Sequence, residues 1–437
     1  MSPSNRPPLF NLAAHQTTIT REVRGAIATF LTMAYILFVN PSILKAAGID
    51  PSAAVAATAL ASALCCLFMG FYANFPLATA PGMGLNAFVA FTIAAKAGSW
   101  HIAMGVIVLD GLLMLLLVLA GLREAVMTAI PRDLRLATGA GIGLFIAFLG
   151  LVSAGIVKMN IADAPLQPGI LTAPTTLVAV VGLIVTAALL AWRVPGAIVL
   201  GIAAATAVAF PLHVTSWNGF AWARPSFATA FHADVWGALH WHQLWPYLFA
   251  VLMVDFFDTL GTATAIGEQA GLVDADGKVL RIKQILIVDS IAAAIGGALG
   301  ASSVTAYIES AAGVAEGART GLHSVIVGCF FIAAIFLAPI AAVVPASATA
   351  PALILVGFLI MAQVTRINFA DLETAIPAFL ILIGIPLTYS IAHGIGYGFV
   401  AYVLIKLLRG RPHHVHLLMY LVAAAYAAYF VTEARIG

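Results

Sequence analysis

Two carboxylates, Asp255 and Asp258, stand three residues apart in the apolar run from Trp245 to Ile266. A run of this length can cross a membrane as a helix, and in a helix this spacing places both acids toward one face. A charged side chain at mid-bilayer costs from about 3 to more than about 10 kcal/mol, so such groups are candidates for function. The pair predicts a polar site inside the membrane.

Two further polar side chains lie beside interruptions of apolar segments. Asn86 follows Pro81 and Gly82, and Glu309 follows the small and β-branched residues from 300 to 308. Each interruption predicts an extended piece followed by a half-helix, beginning near Gly82 and near Thr305. Extended backbone at membrane depth requires a protein or water partner. We therefore expect two half-helix N-termini to face a binding site with free backbone N–H groups.

The charge state of the acids is expected to change with their surroundings. No Lys or Arg lies within the neighbouring helical turns of Asp255, Asp258 or Glu309. A carboxyl that is out of water and without a cation favours its neutral form, so these three are predicted to take part in proton coupling. A purely structural role, with capping by Ser, Thr or backbone donors, stays open and is most plausible for Asp255. Asp110 and Asp289, which lie away from the interruptions, are expected to be structural.

Aromatic and hydroxyl side chains complete the predicted site. Thr29, Thr32 and Tyr35 form a polar stripe on the first apolar segment, although each hydroxyl could instead bond back to its own helix. Tyr35 and Phe88 are candidates for stacking on a ring. The predicted substrate-binding set is Asp258, Glu309, Asn86, Asp255, Thr305, Gly82, Tyr35 and Phe88.

Composition identifies the class of protein. The 437 residues are 62% hydrophobic and only 9% charged, whereas soluble domains carry roughly a quarter charged residues. We expect an all-α polytopic membrane protein. The net charge of +2 leaves no basic face for nucleic acid. No nucleotide-loop, metalloprotease or nucleophile-elbow pattern occurs, and the three Cys lie in apolar runs, so we expect neither an enzyme nor a metal or cofactor site.

Fourteen segments are predicted to span the membrane, and one more, 415–432, could span it or lie at its surface. The fourteen are 23–45, 53–73, 82–95, 100–121, 136–157, 171–192, 195–211, 246–266, 284–300, 307–316, 321–343, 350–364, 371–388 and 390–408. With the N-terminus inside, fifteen Lys and Arg fall in cytoplasmic loops, among them Arg6 and Arg123, and four in outer loops, among them Arg224. This bias predicts a cytoplasmic N-terminus.

An internal repeat divides the chain into two halves. An offset of 223 residues carries Ala47 onto Ala270, Asn86 onto Glu309 and Tyr35 onto Asp258. Seven spans per copy is odd, so the second copy is inverted, and inverted repeats place substrates at the midplane. The predicted divisions are a tail 1–21, a first repeat 22–211, an external linker 212–245, a second repeat 246–408 and a C-terminal segment 409–437.

Several stretches resemble the nucleobase–cation symporter-2 family, in particular its AzgA-like adenine/guanine/hypoxanthine branch. They are Glu22–Leu44, Ala80–Phe88, Asp255–Thr262, Thr305–Val314 and Ala348–Ala352. The resemblance implies a seven-plus-seven inverted repeat with spans 3 and 10 broken by short extended segments. It also implies a core domain (22–121 plus 246–343) and a gate domain (136–211 plus 350–408), with a possible homodimer through the gate.

The resemblance further implies proton symport of purine bases across the cell membrane. The functional positions of the branch fall on Asn86, Asp255, Asp258 and Glu309. The uracil and xanthine branches carry a Glu motif where this chain has Asp258 to Thr262, which argues against those substrates. The preferred purine and the choice between proton and sodium stay open. Two other readings are weighed: an anion transporter of the same fold, which the three acids oppose, and an intramembrane enzyme, for which Asp255 and Asp258 leave no room between them.

Overall fold

A computed structural model of the chain describes residues 10–121, 130–159, 166–216, 225–274, 278–337 and 343–436. The side chains of Phe256 and Phe257 are outside this description, and so are Arg6, Arg123 and Arg224, which were used to predict the topology. The expected tail 1–21 is described only from Phe10 onward.

Within the described residues the chain is a succession of apolar helices. They are α1 (Ile19–Met33), α2 (Ile36–Leu44), α3 (Pro51–Phe68), α4 (Met83–Phe88), α5 (Ala94–Ala97), α6 (Trp100–Leu119), α7 (Arg132–Ser153), α8 (Pro174–Ala191), α9 (Ala197–Ala209), α10 (Val235–His240), α11 (Leu244–Ala270), α12 (Ile282–Leu299), α13 (Ser310–Ala315), α14 (Gly321–Ala334), α15 (Ala346–Met361), α16 (Leu372–Thr388), α17 (Ile391–Leu408) and α18 (Leu417–Ile436). Nine helical stretches among them are long and apolar enough to cross a membrane. The prediction of a multi-pass, all-α membrane protein is therefore confirmed.

Each predicted span contains a helix, but three spans are built differently from the prediction. The first is split between α1 and α2. The third is α4 and α5 joined by a π-helical turn, Val89–Ile93. The tenth was predicted as 307–316 and has only the six helical residues of α13. The structure also contains a hairpin of β2 (Val157–Met159) and β3 (Leu166–Pro168), and the short helix α10. Both lie in loops for which neither a strand nor a helix was predicted.

The two interruptions meet as a pair of short antiparallel strands, β1 (Thr79–Pro81) and β4 (Val304–Ala306). The pairing continues beyond them, because the Gly82 N–H donates to the Ser303 carbonyl at 2.9 Å and the Tyr307 N–H to the Ala78 carbonyl at 2.9 Å. All six strand residues are buried. Extended backbone is tolerated at this depth because each interruption supplies the other's hydrogen bonds.

This pairing corrects the prediction about the half-helices. Thr305 lies in β4 opposite Ala80, and the second half-helix begins only at Ser310. The N–H of Gly82 is already bonded, so it is not a free donor as expected. The physical reason is that β-branched Val304 and Thr305 favour an extended strand and that buried backbone donors pair wherever a partner is within reach.

The strand register also changes the repeat alignment. The first residue of β1 is Thr79 and that of β4 is Val304, so the strands are related by an offset of 225 residues instead of 223. Asn86 is the fourth residue of α4, whereas Glu309 directly precedes α13. The turn from strand to half-helix is longer in the second copy, and the two side chains are therefore not equivalent positions.

Close helix contacts sort the spans into two packed groups. In the first group a Cβ on Gly25 of α1 would lie 2.7 Å from the Gly313 carbonyl of α13, and a Cβ on Gly111 of α6 would lie 2.5 Å from the Ala294 nitrogen of α12. In the second group a Cβ on Gly143 of α7 would lie 2.4 Å from the Met361 nitrogen of α15. Glycine permits these approaches because it has no Cβ. The arrangement agrees with the expected core and gate.

The C-terminal helix α18 runs alongside α17 in the opposite direction. Its Tyr426 ring lies 6.3 Å from Phe399, and its Tyr429 ring lies 5.6 Å from His393, nearer the start of α17. Tyr429 also contacts Tyr247 of α11, with 3.1 Å between the hydroxyls. The segment 415–432, which the sequence left undecided, therefore packs along the side of α17, antiparallel to it, and does not lie across the helix ends.

Candidate functional site

The second half of α11 has an open side that begins at Asp258. Asp258, Gly261 and Ala265 are exposed, whereas Asp255 and Thr259 are fully buried. A Cβ on Gly261 would have no atom within 4 Å. A carboxylate is not stable against lipid tails, so this open side faces a polar opening. In the first half of the helix the six residues from 250 to 255 are all buried, which closes the opening at that end.

Asp258 contacts the broken spans through Thr305. The Thr305 hydroxyl donates to Asp258 Oδ2 at 3.4 Å. A Cβ on Gly82 would lie 3.0 Å from the same hydroxyl oxygen, tight enough that a larger side chain would displace Thr305. Gly82 thus lets the start of α4 approach β4, and the Thr305 hydroxyl links β4 to Asp258 of α11.

Glu309 receives its hydrogen bond from the first span. The buried Tyr35, between α1 and α2, donates its hydroxyl to Glu309 Oε1 at 2.7 Å. Glu309 itself is partly exposed. A carboxylate has lone pairs for about four hydrogen bonds, so both Asp258 and Glu309 keep acceptor capacity for a ligand. Both acids flank the β1–β4 crossing.

Asn86 has unused hydrogen-bonding capacity. Its side chain is fully buried, and neither the amide nitrogen nor the amide oxygen has a partner among the described residues. Buried polar groups are normally bonded, so this amide suits a ligand that offers both a donor and an acceptor. Phe88 is also fully buried, with its ring 6.1 Å from that of Tyr247. Stacking of Phe88 on a substrate would require it to leave that contact, so its role stays a prediction.

Asp255 belongs to a different environment from Asp258. Three residues of helix put the two acids about 60° apart around the axis, which is enough for one to be buried and the other exposed. Ser303 donates to Asp255 Oδ2 at 3.1 Å. The Asp110 carboxyl of α6 lies within hydrogen-bonding reach of Asp255. Thr259 donates to Asp289 Oδ1 of α12 at 2.5 Å.

The buried group of Asp110, Asp255 and Asp289 was not predicted as a cluster, although the positions of these acids along their helices carry a signal. Asp110 is the eleventh residue of α6 and Asp255 the twelfth of α11, two helices predicted to enter the membrane from the same side. Asp289 is the eleventh residue counted from the end of α12, which runs the other way. At 1.5 Å per residue these acids lie at one depth. The number of residues between each acid and the end of its helix indicates that the three acids lie together, whereas their distance from a helix break does not.

Cations lie elsewhere in the part of the chain that the structure describes. Arg24 pairs with Glu316 at 2.6 Å, and Glu373 pairs with three cations at the end of α17: Lys406, Arg409 and Arg411. No ion pair among the described residues includes Asp255, Asp258 or Glu309. The opening therefore offers carboxylate acceptors, with the buried Asn86 amide four residues along the chain from Gly82, and is suited to a neutral ligand with N–H donors or to a cation.

Comparison with known proteins identifies the relatives of the chain. A family model described as "Permease family" (Xan_ur_permease) matches residues 21–397. A putative permease of Methanocaldococcus jannaschii is 42% identical, and the match covers 97% of each chain. The adenine permease AdeP of Escherichia coli is 40% identical over 92% of this chain and 91% of its own. The guanine/hypoxanthine permease PbuG of Bacillus subtilis is 40% identical over 95% and 97%.

Solved structures with the same fold are more distant in sequence. The transmembrane domain of the cyanobacterial bicarbonate transporter BicA matches 88% of this chain and 97% of its own, with a TM-score of 0.64 and 17% identity. The murine anion transporter Slc26a9 in its inward-facing state matches 94% and 73%, with a TM-score of 0.63 and 12% identity. At these identities the likeness establishes the fold and nothing about the substrate.

Proposed function

The chain belongs to this permease family and is a membrane transporter, and we propose that it takes up purine nucleobases (adenine, guanine or hypoxanthine) together with protons. The observation that carries the proposal is the pair Asp258 and Glu309, which flank one opening, receive donors only from neutral hydroxyls and take part in no ion pair among the described residues. Relatives about 40% identical over nearly the whole chain are named as purine permeases.

The chemistry of the opening fits a purine. A neutral purine carries ring N–H donors that the carboxylates of Asp258 and Glu309 can accept, and ring-nitrogen acceptors that the Asn86 amide can satisfy. Thr305 and Tyr35 hold the two acids in place, and Gly82 keeps the crossing compact. Asp255 lies behind the opening, so its proposed part is in proton coupling, for which Asp258 and Glu309 are also candidates.

The same proposal includes an orientation and a way of moving. With the N-terminus in the cytoplasm of a cell, the exposed stripe of α11 from Asp258 toward Ala270 opens inward, while 250–255 are covered outside. Movement of a core domain (22–121 plus 246–343) against a gate domain (136–211 plus 350–408) would expose the acids alternately. A homodimer through the gate is proposed from the family alone.

The alternative functions for a protein of this fold are anion transport and the transport of uracil or xanthine. The bicarbonate and anion transporters share only the fold with this chain. An anion site favours half-helix dipoles around a neutral or basic centre, whereas this opening has two acids. The alternatives predict that adenine, guanine and hypoxanthine would not compete for uptake.

The decisive experiment is uptake of labelled hypoxanthine by cells expressing the wild type or Glu309→Gln. We expect the variant to lose most uptake, because an amide in place of the carboxylate turns one acceptor toward the substrate into a donor. Competition by adenine, guanine, xanthine and uracil then tests the substrate class. Full uptake by Glu309→Gln, or competition by uracil and xanthine but not by purines of the first group, would contradict the proposal.

A further inference from the structure

Two of the acids lie against each other behind the opening, away from the substrate contacts. Asp110 comes from α6 and Asp255 from α11, and both side chains are fully buried. The place is fixed by a tight crossing, because Gly111 beside Asp110 lets α6 approach α12 so closely that a Cβ there would lie 2.7 Å from the Ser290 carbonyl. This crossing fixes Asp110 against α12, and α12 is joined to α11 by the hydrogen bond from Thr259 to Asp289.

The Asp110 side chain is missing a donor. Neither of its oxygens has a hydrogen-bond partner among the described residues, and the same holds for Asp255 Oδ1. Only Asp255 Oδ2 is bonded, to the Ser303 hydroxyl. Two adjacent carboxylates that are both charged, with one hydroxyl donor between them, are not tenable out of water. A hydrogen bond between the two carboxyls, made by one proton, satisfies an orphaned oxygen on each side.

We propose that Asp110 and Asp255 share one proton and that this proton is the ion that travels with the substrate. The inference rests on the proposed proton symport and adds to it that the proton site is separate from Asp258 and Glu309. Asp289 of α12 and Asp258 of α11 are the other charged groups that face the pair, and Cys65 of α3 faces Asp289. All of these neighbours are acids, so loss of the shared proton leaves a repulsion that favours its return.

The second broken span connects the proton pair to the opening. Ser303 and Thr305 are two residues apart in an extended segment, so their side chains lie on one side of it. That side faces α11, where Ser303 bonds Asp255 and Thr305 bonds Asp258. A ligand that hydrogen-bonds to Asp258 displaces the Thr305 hydroxyl. Ser303 lies on the same stretch of backbone as Thr305. Protonation of Asp110 and Asp255 and binding of a ligand in the opening therefore both act on the second broken span.

The test uses the full-length protein in liposomes, with Asp110→Asn and Asp255→Asn beside the wild type. Exposed Asp50, which caps α3, provides the control Asp50→Asn, since Asn caps a helix as well as Asp. Exchange of labelled purine without a gradient reports binding and movement. Purine-evoked proton entry and uphill uptake driven by a pH gradient report coupling.

We expect Asp110→Asn to keep exchange within about threefold of wild type, as for a change outside the substrate contacts, while proton entry and uphill uptake fall to the level of empty liposomes. Asp110→Glu, which restores a titratable group, should recover proton entry. Purine-evoked proton entry that survives in Asp110→Asn would overturn the shared-proton site. If Asp110→Asn does not fold, the same comparison on Asp255→Asn decides the matter.

The outcomes for the wild type separate this inference from the proposed function. A wild type that transports purine with sodium and moves no protons contradicts both. A wild type that moves protons, with variants that also do so, contradicts only the assignment of the proton to this pair. Loss of exchange together with loss of purine binding in a folded Asp110→Asn would place Asp110 among the substrate contacts and would likewise overturn the inference.

Discussion

The two acids of the opening have different supports, and this difference distinguishes their roles. Glu309 accepts a short bond of 2.7 Å from a buried tyrosine, whereas Asp258 accepts a long one of 3.4 Å from a threonine in a strand. A bond from a fixed phenol to a carboxylate holds the acid in one direction. We therefore propose Glu309 as the oriented acceptor for the substrate and Asp258 as the acid that is free to adjust to it.

Replacing Tyr35 by Phe tests this orientation. The ring and its packing remain, and only the hydrogen bond to Glu309 is lost. Because a hydrogen bond to a charged group contributes about 1.5–3 kcal/mol, we expect KM for the purine to rise about tenfold or more. Initial uptake rates over a range of purine concentrations measure this change. Tyr397→Phe, near the start of α17, is the matched control; an unchanged KM in Tyr35→Phe would refute the orienting role.

At this scale the sequence identifies the acids but not their partners. Asp255, Asp258, Glu309 and Asn86 are conspicuous because polar groups are rare in apolar segments. Ser303, which bonds Asp255, carries no such signal, since serine is unremarkable in a membrane helix. Which hydroxyl reaches which carboxylate depends on contacts between residues far apart in the chain, and a single sequence does not contain that information.

At the scale of elements, glycine sets how closely the helices cross. Three glycines fall in the run Gly139 to Gly143 of α7, and a Cβ on Gly143 would lie 2.4 Å from the Met361 nitrogen and 2.7 Å from the Gly357 carbonyl. Gly261 of α11 is the opposite case, with open space around it. Gly143 thus permits close helix packing, and Gly261 leaves space open beside α11.

Gly143→Val and Gly261→Ala should change stability in opposite directions. The atoms facing Gly143 are backbone, which cannot swing aside, so overpacking should cost about 1–3 kcal/mol and lower the melting temperature of the purified protein. Alanine at Gly261 meets no clash and favours the helix by up to about 1 kcal/mol. Melting curves in detergent measure both; equal melting temperatures for the two variants would show that the crossing is looser than described.

The broken spans show which helix starts can be predicted from the residues beside them. Pro81 and Gly82 mark the first interruption from sequence alone, and α4 begins directly after them. The start of α13 at Ser310 was not predictable in the same way, because Val304 to Ala306 become a strand only by pairing with Thr79 to Pro81. A pairing between segments more than two hundred residues apart leaves no mark in either segment by itself.

At the scale of the molecule, the opening has access from one end. Residues 250–255 in the first half of α11 are enclosed, and the second half exposes Asp258, Gly261, Ala265 and Glu268 on successive turns. Such a stripe, three or four residues apart, is one side of a helix. The protein is therefore in a conformation in which the acids communicate with the side on which α11 ends.

Single cysteines on α11 test this asymmetry. In a Cys329→Ser background, which removes the exposed native thiol while Cys65 and Cys66 stay buried, Ala265→Cys should react with a membrane-impermeant maleimide in inside-out vesicles and much more slowly in right-side-out ones. Val251→Cys, in the enclosed half, is the control and should be protected in both. Faster labelling of Val251→Cys than of Ala265→Cys would show that the transporter rests in the opposite conformation.

The C-terminal helix gives the two ends of the chain different surroundings. Thr17, just before α1, bonds the Gly317 carbonyl, and Gln269, at the end of α11, bonds the nearby Ala311 carbonyl. Tyr429 of α18 instead contacts Tyr247, at the beginning of α11. Because α11 is a single helix of 27 residues, about 40 Å long, the start of α1 and Tyr429 of α18 lie near opposite ends of a helix that is long enough to cross a bilayer. We therefore propose that α18 makes the number of crossings odd, so that a domain attached after it would be delivered to the other compartment from one attached at the start.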